Sequence, residues 1–125
     1  METSDLAAIL GLLADYCATL DEQRWDDHVA LWCEEGCLHV FGRDFEGRAK
    51  IRDFMSGAHQ GKHLTGVPRV RIEGDRAQSV SDFVFFRAGG FTLNSAGVYR
   101  DRLVRGPDGW QFERREIEIQ LRAEA

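Results

Sequence analysis

The sequence predicts an α+β fold: a cone-shaped, curved antiparallel sheet wrapped around three N-terminal helices and enclosing one pocket. Three observations carry this. The first third holds apolar residues at three- and four-residue steps, the period of a helix with one buried face. From residue 62 onward, long strand-like runs are separated by short turn segments. The last of these runs switches the parity of its apolar positions, which requires a bend. Helices followed by a meander place the helices on one face of the sheet.

In "DLAAILGLLADYCATLDE" the residues Leu6, Ile9, Leu10, Leu13, Tyr16, Cys17 and Leu20 form the helical stripe. Thr3 or Ser4 can cap its start, and Asp5 complements the dipole. A second helix fits "WDDHVALWCEE", with Trp25, Val29, Trp32 and Cys33 on one side and Gly36 as its stop. "CLHVFG" reads as a short strand, with "RDFEG" pairing back on it. "RAKIRDFMSGAHQ" is the third helix, turning Ile51, Phe54, Met55 and Ala58 to one side. Four long strands follow, at 63–73, 76–88, 91–105 and 109–121. Their turns are "EGD", "AGG" and "GPDG", all turn chemistry. In the last strand Trp110 and Phe112 lie on even positions, but Ile117, Ile119 and Leu121 lie on odd ones. A bulge between Glu113 and Glu116 restores one buried face and bends the sheet around a hollow.

The 125 residues suit one domain spanning 1–125, with 43% hydrophobic and 30% charged residues. The net charge of −5 argues against nucleic acid or an anionic membrane as partner. The cysteines, Cys17, Cys33 and Cys37, are odd in number. The N-terminal stretch lacks the basic start of a secretory signal. No apolar run approaches the roughly 20 residues that span a bilayer. The expected location is the cytoplasm. No phosphate-binding loop or redox motif is found, so no cofactor is expected.

The pieces "LLADYCATLDEQRWDDHVALWCEEGCLHV", "FEGRAKIRDFM", "HLTGVPRVRIEGDRA" and "GVYRDRLVRGPDGWQFERR", in that order, resemble the SnoaL-like branch of the nuclear-transport-factor-2-like superfamily. The resemblance covers nearly the whole chain, and the superfamily hosts many reactions as well as non-catalytic binders. Its nearest catalytic pattern is that of the scytalone and bile-acid dehydratases. The positions matching theirs are Tyr16 and Asp21 on the first helix and His63 at the entrance of the first long strand. The resemblance implies that His63 is a proton-transfer group, that Asp21 orients it, and that Tyr16 donates a hydrogen bond to a substrate carbonyl. Two departures stand out. No His follows residue 63, where the dehydratases use a second one, and Val67 stands where many members carry Asn. Val40 occupies the position of the catalytic base in the ketosteroid isomerase branch. The implied function is a cofactor-independent lyase or isomerase acting on a hydrophobic oxygenated ring compound of polyketide or steroid type. The alternative is a non-catalytic binding or assembly subunit, such as a dioxygenase β-type partner. A homodimer or homotrimer is expected from the same resemblance.

The residues themselves bound these roles. An imidazole titrates near neutral pH, so His63 suits proton transfer. Tyr16 and Asp21 are five apart, so their side chains diverge by roughly 140° on a regular helix. Both reach one pocket only if Asp21 turns back from the helix end, where the dipole disfavours a carboxylate. By alternation Asp82 points with Val80, Val84 and Phe86, a costly place for an unpaired carboxylate. It either pairs with Arg100 or Arg102 or serves the pocket. Among the aromatics, Phe86, Tyr99 and Trp110 are candidate walls, and Phe54 and Met55 can cap the mouth. Cys33, Cys37, His28 and His39 cross a helix–Gly–strand junction, where their vectors diverge, so no metal is expected. The arginines of "VPRVRIEGDRA" and "YRDRLVR" read as a solvated outer face. Arg114 or Arg115, beside the bulge, is the exception that can be re-aimed inward.

Overall fold

A computed structural model describes residues 2–90 and 92–123, with the side chains of residues 5–90 and 92–123. The chain runs α1 (Glu2–Asp21), α2 (Trp25–Val29), β1 (Trp32–Val40), β2 (Arg43–Glu46), α3 (Arg48–Gly57), β3 (Gly61–Thr65), β4 (Arg69–Glu73), β5 (Arg76–Arg87), β6 (Thr92–Gly106) and β7 (Gly109–Arg122). The sheet order is β2-β1-β7-β6-β5-β3, with β4 also paired to β5. It is a mixed α+β fold, N-terminal helices followed by a curved, unclosed sheet. All strand pairs are antiparallel except β1 with β7, which run parallel.

The helix α1 buries Ile9, Leu12, Leu13, Tyr16 and Leu20. Leu6 and Leu10, placed on that stripe by the sequence reading, are exposed at its edge. The proposed caps Thr3 and Ser4 lie outside the described side chains. Against α1 pack Trp32 and Leu38 of β1, Ile51 and Met55 of α3, and Phe83, Tyr99, Leu103 and Phe112 of the sheet. Ala58 is exposed beyond the end of α3.

Two readings of local structure are corrected. The helix expected through Glu35 stops at Val29, and Trp32 onward is strand. Carbonyls that a longer helix would use are taken elsewhere. The Phe112 N–H donates to Leu31 O at 2.8 Å, and the Arg48 guanidinium donates to Trp32 O at 2.7 and 2.9 Å. Tertiary partners override a local helical preference. Gly36 is therefore not a helix stop. It lies in an irregularity of β1, where a Cβ would sit 3.0 Å from the Trp32 ring. The first long strand is also broken. Gly66, Val67 and Pro68 separate β3 from β4, and both halves pair with β5.

The bend in the last strand lies where the parity switch puts it. Arg102 faces Arg114 while Leu103 faces Phe112, so Glu113 is the extra residue of a bulge. After it, Arg115 points inward and is 1% exposed. Asp101 receives it, with Nε donating to Oδ1 at 2.6 Å and Nη2 to Oδ2 at 2.9 Å. Ser79 donates to the same carboxylate at 2.7 Å.

Candidate functional site

The sheet and the helices enclose a cavity of about 340 Å³. Its apolar wall includes Leu20, Trp25, Val40, Phe83, Phe85, Ile117 and Ile119, with Phe41, Phe54 and Met55 also lining it. The polar groups that reach it are few: Tyr16, Tyr99, Ser95, Asn94, His59, Gln60 and His63. Asn94 arrives there because it is the extra residue where β6 bulges against β5.

His63 is seated by its neighbours on both sides. At Gly61, two residues before it, a Cβ would stand 2.0 Å from Phe86 O, so only glycine lets β3 lie this close to β5. The His63 ring rests on Phe85, centroids 4.5 Å apart. On its other edge stands Asp21, the last residue of α1. The His63 Nδ1–Asp21 Oδ1 distance is 2.7 Å, and the His63 backbone N–H also reaches this carboxylate at 3.1 and 3.2 Å. Lys62 Nζ lies 3.4 Å from Oδ2. These donors explain how a carboxylate sits against the negative end of a helix.

Protonation follows from the partners. The Asp21 carboxylate can only accept, so His63 Nδ1 carries the hydrogen. Nε2 then holds a lone pair and has no hydrogen-bond partner among the described residues. Burial pushes the His63 imidazole below its ordinary value of 6.5, and Asp21 opposes that without cancelling it. The ring is therefore neutral near pH 7, and it lines the cavity.

Tyr16 and Tyr99 lie side by side across the cavity floor, centroids 5.6 Å apart, and Tyr99 stacks on Phe83 at 4.4 Å. The Arg115 guanidinium is 4.1 Å from the Tyr16 ring, 3.9 Å from Tyr99 and 4.6 Å from Phe112. Burial raises both phenols, against the pull of the Arg115 charge, so both remain neutral donors. A second imidazole, His28, is fully buried. Trp32 Nε1 donates to its Nε2 at 3.3 Å, and its Nδ1 lies 2.9 Å from Thr19 Oγ1. Burial, with a smaller push from Arg115, lowers it to about 3.

Of the residues singled out in the sequence, Tyr16, His63, Phe54, Met55 and Tyr99 line the cavity. Asp21 does not; it touches the site only through His63, so its divergence from Tyr16 is no obstacle. Asp82 and Phe86 are corrected. The inward residues of β5 are Ala77, Ser79, Ser81, Phe83 and Phe85, and Asp82 is exposed on the outer face. The run Phe83 to Phe86 is apolar on both parities, so alternation could not choose, and the serines misdirected it. The Asp82 pairing with Arg100 or Arg102 is not formed either; those arginines meet Glu118 and Glu113. Trp110 is buried away from the cavity, donating to Asp5 at 3.3 Å beneath Arg105. Sequence reasoning missed Asp101, although it shares odd parity with Tyr99 and Leu103, and missed the Thr19–His28–Trp32 chain. Cys33, Cys37, His28 and His39 do not converge, since His28 is committed to Thr19 and Trp32. Cys37, Asp44 and Glu46 do lie within 4.8 Å of one another, with Arg114 Nη1 3.2 Å from Cys37 Sγ.

A curved sheet folded over helices around an apolar cavity defines the class: an α+β cone. The chain belongs to the SnoaL-like domain family, which matches residues 1–116. It is similar to the uncharacterised protein Rv2910c of Mycobacterium tuberculosis, 31% identical over 124 aligned positions that cover 91% of this chain and 84% of that one. Among solved structures it is similar to an NTF2-like protein with a cystatin-like fold from Novosphingobium aromaticivorans, at 29% identity and TM-score 0.87, covering 94% and 82% of the two chains. The fold alone is shared with a protein of that organism proposed to be a scytalone dehydratase, at 18% identity and TM-score 0.85, covering 99% and 89%. A hexachlorocyclohexane dehydrochlorinase and a proposed dioxygenase β subunit also share it, at 17% and 19% identity with TM-scores of 0.85 and 0.79. The first match covers 98% of this chain and 89% of that one, the second 99% and 94%.

Proposed function

We propose that the chain is a cofactor-independent lyase or isomerase, dehydratase-like, acting on a hydrophobic oxygenated ring compound of polyketide or steroid type. One observation carries the reading: an imidazole held at 2.7 Å by a carboxylate, on the wall of an apolar cavity. In the proposed reaction His63 Nε2 takes a proton from the carbon next to a ring carbonyl. The electron pair of that C–H bond forms an enolate, whose oxygen accepts a hydrogen bond from the Tyr16 hydroxyl. The enolate collapses and expels a β-hydroxyl, which takes the proton back from His63 and leaves as water. Asp21 stabilises the transient imidazolium and fixes the tautomer, so it is a positioning residue. Phe54 and Met55 exclude water at the mouth.

The test is turnover of a panel of ring-bound β-hydroxy ketones by the wild type and by His63→Ala. Dehydration by the wild type and its loss in the variant are expected. Equal activity in both would sink the acid–base role. A second reading, an assembly subunit of the dioxygenase β type, draws support from the absence of any histidine after residue 63. It expects copurification with a larger Rieske-type partner and no turnover by the isolated chain. We also propose a homodimer or homotrimer. Val80, Val84 and Phe86 lie half-buried on the outer sheet face, with Asp82 between the first two, and a one-chain mass in light scattering would overturn this.

A further inference from the structure

We propose that the ligand of this cavity carries an anionic tail, a carboxylate or a phosphate, received at the cavity mouth by Arg87 and Arg122. The proposal rests on the small-molecule reading above. It starts from a groove of about 890 Å³ outside the cavity. Groove and cavity share Phe41, His59 and Asn94, so one ligand can occupy both. Arg87 closes β5 and Arg122 closes β7, and both strands end at this rim.

What sets this rim apart is that two exposed arginines border a groove continuous with the cavity. The chain is net negative by five. Eight of the 14 arginines meet carboxylates: Arg24, Arg52, Arg76, Arg100, Arg102, Arg105, Arg114 and Arg115. Arg87 and Arg122 are exposed and meet none among the described residues, and no acidic residue among these lines the groove. Two guanidiniums without a carboxylate partner among the described residues, set over a low-dielectric wall, favour an anion at the entrance. The Arg122 guanidinium lies 5.8 Å above the Phe41 ring, which is 58% exposed. An apolar floor beside an unpaired guanidinium suits a ligand whose ring enters the cavity while its anion stays at the rim. Arginine offers a planar fork of donors to a carboxylate or a phosphate alike.

Naphthol, naphthoate and naphthyl phosphate share one ring body and differ in the tail. Calorimetric titration should find at least one of the two anions binding about tenfold more tightly than naphthol, two rim pairs of ordinary strength. The tighter one identifies the tail. The Arg87→Gln/Arg122→Gln double variant, and high salt, should remove that advantage while naphthol binding stays within about twofold. If naphthol binds and neither anion binds more tightly, or if the variant weakens all three equally, the anionic tail is overturned while the cavity reading stands. If none of the three binds, both fail together.

Discussion

At the scale of single residues the argument turns on which nitrogen of His63 is free. Asp21 fixes the proton on Nδ1, leaving Nε2 as the base. The proposed reaction requires the neutral ring, and burial lowers its pKa from 6.5. The rate should therefore hold from neutral pH down to below 6.5, then fall as acid protonates the imidazole. Asp21→Asn removes the charge that raises this pKa, so the inflection should move to still lower pH. The amide can also donate to Nδ1, which places the hydrogen on Nε2 and idles the base. A drop in kcat of about 100-fold or more is expected. An unchanged pH–rate profile in Asp21→Asn would refute the positioning role. His63 and Asp21 were singled out by their match to the dehydratase positions, and the fold brings the two side chains to 2.7 Å. That Asp21 stands behind the imidazole, outside the cavity, was not legible, since the seat of a helix-end carboxylate is set by the distant donors of β3 that it meets.

At the scale of elements, the bulge at Glu113 does the most. It flips the parity of β7 and so delivers a guanidinium into the interior, and the switch from Trp110 and Phe112 to Ile117 and Ile119 announced it. Its carboxylate partner was hidden, because "YRDRL" reads as a polar surface run until Tyr99 fixes which parity faces inward. Asp101 and Arg115 are 0% and 1% exposed. Removing one of two such charges strands the other. Asp101→Ala should lower the unfolding free energy by about 3–5 kcal/mol in urea titration. The double variant Asp101→Leu/Arg115→Met removes both charges and should recover most of that loss. A double variant no more stable than Asp101→Ala would show that the pair matters for its shape and not for its charge. The fate of α2 illustrates the opposite case. "WDDHVALWCEE" has a helical period, but its carbonyls are claimed by Phe112 and Arg48, two partners far along the chain that no local pattern reports.

At the scale of the whole molecule, the order of helices and strands and the turn segments made the cone legible. The parallel pairing of β1 with β7 did not show, because register between distant strands leaves no periodic trace. That pairing joins the β1–β2 hairpin to the far edge of the meander. Where it meets the helices lies His28, bonded to Thr19 of α1 and Trp32 of β1. Both its nitrogens are committed to the neutral form, so folding disfavours its protonation, and burial drops its pKa from 6.5 to about 3. The unfolded chain thus binds a proton that the folded chain refuses between these values. Stability should be full above about pH 6.5 and decline as the pH falls toward 3. From pH 7 to 5 this one group accounts for a loss of about 2 kcal/mol. His63 adds in the same direction, its pKa being lowered as well. Urea titrations at the two pH values should show the loss in the wild type and a shallower one in His28→Gln, where no imidazole titrates at this junction. Equal slopes in the two proteins would place the acid sensitivity elsewhere, with His63 the next imidazole whose pKa is lowered by folding.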